Sequence, residues 1–200
     1  MKKAMLFAAM IFCLAVPGLS WANALMPSLP WSVYLYEGGR LLALLAFVLM
    51  FFQFVLSARI PWLERGLGPG TLFKLHRRWG LIAFVLILSH PALLLLSERI
   101  QGYASAMSPI KILGAFTLVV LCAAVLAALL SRRLHLKVQT WKRVHKATYV
   151  VFPLGFVHSL LIGTTLQKGP ARVLWFVLAA GYFAILGYKL LKGSPVKHPS

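Results

Sequence analysis

Apolar residues run in long blocks along this chain, and the blocks themselves predict its architecture. Stretches at residues 36–58, 75–97, 109–131, 144–165 and 171–191 each approach the about 20 residues of helix that cross a bilayer. Between them lie turn-rich punctuations, "IPWLERGLGPG", "QGYASAMSP" and "LQKGP". The pattern predicts an all-α, polytopic membrane bundle with five transmembrane helices over residues 36–191. A further apolar block precedes them. Lys2 and Lys3, an apolar run over residues 4–16, a Pro17-Gly18 break and Ala22-Asn23-Ala24 read as a signal peptide over residues 1–24, or as a sixth transmembrane helix. Residues 192–200 form a polar tail, and no repeat or linker marks a second domain.

Charge adds an orientation. The 200 residues are 60% hydrophobic with a formal charge of +18. Glu37, Glu64 and Glu98 are the acidic side chains, so chemistry that needs paired carboxylates is excluded. The surplus of Lys and Arg fits loops facing anionic lipid better than it fits nucleic acid. The loop over residues 59–78, the loop over residues 132–146 and the tail with the adjoining Lys189 together carry 14 cationic residues against five on the alternate side. The richer side is expected to be cytoplasmic, which puts the C-terminus there. Cys13 and Cys122 lie in apolar runs without CxxC spacing and imply neither a disulfide nor a metal site.

Histidine carries the candidate chemistry. Span 75–97 bears His76 and His90 at positions i and i+14, and span 144–165 bears His145 and His158 at i and i+13. Either spacing is roughly 20 Å along a helix. Both spans run in the same direction, so His76 and His145 share one level and His90 and His158 another. Two such levels match bis-histidine ligation of two flat macrocycles, each imidazole giving one axial nitrogen to iron. The i, i+13 spacing turns the second pair about 140° short of four turns, a mismatch that a kink at Pro153 would have to correct. Gly80 and Gly155 lie near the ligand face, where they would admit a bulky ring or simply pack helices. His135 and His198 fall in a basic loop and a polar tail and are expected to be solvated.

Arginine forks match haem propionates. Arg77, Arg78 and Arg59 lie at the level of His76, and Arg40 at the other end, in "EGGR". Intramembrane histidines also line proton or metal transporters, but such paths usually recruit Asp or Glu, and the spans hold essentially none. A transporter and a structural membrane subunit remain the competing functions.

"HRRWG" opening one span and "WKRVHKATYVVFPLGFVHSLLIG" the other resemble the ferric reductase-like transmembrane domain over about residues 36–190, with "GGR" and "SAR" at the ends of the first span. That group includes NADPH oxidases, eukaryotic ferric reductases and the short bacterial haem subunit of the periplasmic methionine sulfoxide reductase system. The resemblance implies two b-type haems held by His76, His90, His145 and His158, passing electrons outward across a bacterial inner membrane. It also implies an oxidoreductase subunit whose acceptor is ferric iron or a periplasmic oxidoreductase. No GxGxxG or similar cradle holds FMN or a nicotinamide nucleotide here. The expected donor is therefore a separate flavoprotein reductase or a quinol.

Overall fold

In the computed structural model, which describes residues 2–192, the chain is all helix and turn. Eight α-helices follow in order: α1 (Lys2–Ala24), α2 (Trp31–Ser57), α3 (Pro61–Leu67), α4 (Pro69–Ile100), α5 (Pro109–Leu130), α6 (Val138–His145), α7 (Thr148–Ile162) and α8 (Pro170–Lys192). A 3-10 turn at Thr164–Leu166 joins the last two. Lys197 and His198 of the polar tail lie outside the described residues.

Proline sets where helices begin. Pro61, Pro69, Pro109 and Pro170 each open a helix at its first position, where the missing N–H would have had no intrahelical partner. Gly68 and Gly169, at φ +75° and +82°, reverse the chain just before two of these starts, in a backbone region that side chains avoid. Ser108 caps α5 by accepting the Lys111 N–H.

Helices α1, α2, α4, α5 and α8 are long and apolar enough to cross a membrane. Many of their large apolar side chains face outward, among them Phe12, Phe73, Val119 and Leu190. In water that surface would drive association; in a bilayer it is the lipid face. The predicted span at residues 144–165 departs from a single helix. It breaks at Lys146 and Ala147 into α6 and α7, then tightens into the 3-10 turn. Helix α7 alone is about 22 Å long, shorter than the hydrocarbon core.

Two antiparallel pairs organise the bundle. Helix α4 packs along α2, α7 packs along α5, and α4 scarcely touches α5. Ser97 of α4, fully buried, donates to the Ser32 carbonyl of α2 at 2.6 Å. Phe47, Phe54, Phe152, Trp175 and Tyr182 form an aromatic core joining α2, α7 and α8. Pro153 lies inside α7 and cannot donate to the Tyr149 carbonyl four residues back. The Tyr182 hydroxyl of α8 donates to that carbonyl at 2.6 Å instead.

Helix α1 is built into this core. Leu6 and Met10 are buried, Phe7 meets Trp79 edge-on at 5.3 Å, and the Trp21 indole donates to the Glu37 carbonyl at 3.0 Å. Its N-terminus lies beside α3, at the same end of the bundle as Arg59 and Lys189. We propose that α1 is retained as a transmembrane helix, because removing it would strip apolar cover from Trp79 and from α2. Intact-mass measurement of protein purified from membranes is expected to account for residues 2–24. A mature species starting near residue 25 would instead establish a cleaved signal peptide.

Candidate functional site

The four intramembrane histidines lie in two pairs, one at each level. His76 of α4 and His145 of α6 have ring centroids 6.3 Å apart with planes at 81°. His90 of α4 and His158 of α7 lie close enough to interact electrostatically at the other level. The mismatch expected from the i, i+13 spacing is resolved by the chain break at Lys146 and Ala147, because His145 ends one helix and His158 belongs to the next. Pro153 is not the place where the helix parts.

Each pair takes one ring from the α2–α4 layer and one from the layer of α5, α6 and α7. Three of the rings are tied back to the partner helix of their own layer. His90 Nδ1 donates to the Gly39 carbonyl of α2 at 3.0 Å. His145 Nδ1 donates to Ala124 of α5 at 3.2 Å, and His158 Nδ1 to Ile110 of α5 at 2.8 Å. A carbonyl only accepts, so the proton is on Nδ1, and in the neutral ring the lone pair is then on Nε2. That is the tautomer of a metal-ligating histidine whose second nitrogen is anchored.

The donor set fits haem. The inner rings, with centroids 6.3 Å apart, are close enough that His76 and His145 would hold one iron between them. Helix α4 scarcely touches α5, and the two layers meet through Phe84, Leu121 and Val151 and through Phe47 and Phe54 on Phe152 as well as at the histidine pairs. Among the described residues no three His, Cys, Asp or Glu side chains converge. Grouping in twos suits axial ligation.

The chain matches the family described as ferric reductase like transmembrane component over residues 42–156. It belongs to that family. No curated protein matches the chain, and no solved structure does. In this ferric reductase-like chain the matched region contains His76, His90 and His145, while Arg40 and His158 flank it.

The predicted arginines are placed unequally. Arg40 Nη1 holds both Glu37 oxygens at 2.6 and 2.9 Å, and Nη2 donates to the Thr164 and Thr165 hydroxyls. Its charge lies near His90, but its fork already has partners. Arg77 and Arg78 are exposed beside His76. Arg59, at φ +51°, lines a cavity of about 380 Å³ with Lys189 and Lys192. Lys189 is a cation that sequence reasoning left in the tail. It donates to the Tyr149 hydroxyl at 2.5 Å and lies within electrostatic reach of His76. His135 is exposed, as expected.

Glycine placement decides between the two roles that the sequence left open for Gly80 and Gly155. A Cβ on Gly80 would face the Gln53 amide at 3.2 Å, and one on Gly155 would meet Phe47 and Met50 at 3.9 Å. Both therefore serve helix packing against α2. The glycine beside a histidine ring is Gly114 of α5, whose Cβ would fall 2.5 Å from His158 Cε1. Only tertiary contact reveals it, because nothing in "KILGAF" separates it from an ordinary membrane glycine.

Proposed function

We propose that this chain is a transmembrane electron-transfer subunit holding two b-type haems, one between His76 and His145 and one between His90 and His158. The observation that carries the reading is the set of three Nδ1–H bonds to helix carbonyls, which leave Nε2 lone pairs at two levels. When bound, each haem supplies a one-electron ferric–ferrous couple. The protein's part is to fix ring orientation and to keep the two sites in register across the bilayer. Lys189, Arg59, Arg77 and Arg78 give the inner level a positive surround that favours propionates, and Arg40 does so at the outer level.

The Lys/Arg-rich end faces the cytoplasm of a bacterial inner membrane in this reading, and electrons enter there from a flavoprotein reductase or from membrane quinol. They leave at the His90 level, toward ferric iron or a periplasmic oxidoreductase. A histidine-lined transporter is the competing reading, but the spans offer few carboxylates for a relay. Protein purified from haem-replete cells is expected to give a dithionite-reducible, low-spin b-type spectrum with two haems per chain by pyridine haemochrome assay. One haem per chain would defeat the two-level arrangement, and a haem-free folded protein would defeat the function.

A further inference from the structure

Among the described residues, two buried side-chain polar atoms have no hydrogen-bond partner: His76 Nδ1 and Gln53 Oε1. They belong to adjacent helices at the same level. The ring of His76 lies against the main chain of Gln53, and the Gln53 amide lies against Gly80, one turn beyond His76 on α4.

The register of the bundle makes this pairing specific. The anchors on α5, Ile110 and Ala124, are spaced i, i+14. On α4 the ligands His76 and His90 have the same spacing. Helix α2 runs antiparallel to α4 and anchors His90 at Gly39, so an equal step further along it places the partner of His76 at Gln53. Three of the four ligand rings have their acceptor at the registered position. At the fourth, the ring faces the registered main-chain carbonyl outside hydrogen-bond geometry, and the registered residue also carries a side-chain oxygen with no partner.

The amide has a defined orientation. Gln53 Nε2 donates to the Leu49 carbonyl on its own helix at 3.4 Å, which turns Oε1 away from that carbonyl and toward α4. A Cβ at position 80 would crowd Oε1 at 3.2 Å, so Gly80 makes room for it. Each group is buried without a bond, which destabilises the fold, and a bond between the two would satisfy both.

We propose that the Gln53 side-chain oxygen accepts the His76 Nδ1–H and so positions the inner ligand, completing the set of four anchored imidazoles. Gln53 is a positioning residue: it acts on haem only through His76. The proposal rests on the two-haem reading above. An anchored Nδ1–H makes the imidazole a stronger donor to ferric iron, and losing such a partner typically weakens metal affinity by about 10–100-fold.

The test isolates the inner site. Apo-protein carrying His158→Ala is titrated with haemin, with and without Gln53→Leu or Gln53→Glu. The His158→Ala protein is expected to bind one haemin, Gln53→Leu to weaken that binding about tenfold or more, and Gln53→Glu to restore it. In protein that keeps His158, Gln53→Leu should raise the inner haem potential and Gln53→Glu lower it, while the outer haem stays unmoved. Unchanged affinity and potential in Gln53→Leu would overturn the proposal and leave the Gln53 main-chain carbonyl as the anchor. No haemin binding by the folded His158→Ala protein would defeat the two-haem reading itself, and this proposal with it.

Discussion

On the two-haem reading, replacing His158 with alanine is expected to remove one haem and to leave the other reducible by dithionite. The His158 ring is oriented by its bond to the Ile110 carbonyl, and the inner pair belongs to other turns of the helices. Loss of an axial ligand costs more than the about 10–100-fold that loss of a supporting partner costs. The outer site should therefore be bare at ordinary haem concentrations. Electron delivery to an external acceptor should stop, while reduction of the remaining haem from the Lys/Arg-rich side continues. Haemochrome content and stopped-flow reduction of inverted vesicles measure both. Loss of both haems from a folded variant would mean that the two levels are not independent.

Gly114→Ala should produce the same spectrum without touching a ligand. The added Cβ would lie 2.5, 2.7 and 2.9 Å from His158 Cε1, Nδ1 and Nε2. Ala in a helix interior gains about 1 kcal/mol over Gly, whereas overpacking costs about 1–3 kcal/mol. The ring can swing away, so the fold keeps the gain and the site takes the loss. Thermal stability should hold or rise while haem content falls from two per chain to one. Gly155→Ala is the control: its Cβ would make ordinary contacts at 3.9 Å and should leave both haems in place. Two haems retained in Gly114→Ala would show that the His158 ring does not need the space over α5.

Some of this was legible in the linear chain, for physical reasons. A membrane-length apolar block must be helical because its backbone groups have no other partner in lipid, so the spans at residues 36–58, 109–131 and 171–191 correspond closely to α2, α5 and α8. The levels of the histidines were readable because helical rise is constant: an i, i+14 spacing fixes an axial distance whatever surrounds it. Family membership follows the same logic, since "HRRWG" and "WKRVHK" are local strings within the matched region.

Azimuth and contact were not legible. The i, i+13 spacing reads wrongly on an ideal helix, and it took the break at Lys146 and Ala147 to turn His145 toward His76 and His158 toward His90. Gly80 and Gly155 lie near the ligand face of their own helices, yet what a glycine makes room for is set by the helix opposite. Here that is Gln53, Phe47 and Met50. Gly114, Gln53 and the carbonyls of Gly39, Ile110 and Ala124 carry no local signal, because a helix carbonyl looks the same in every sequence. Rise along a helix is a property of one segment, so the sequence by itself determined the spans and the two histidine levels. Which groups touch a given ring depends on how α2 packs on α4 and α5 on α7, and only the tertiary structure decided that.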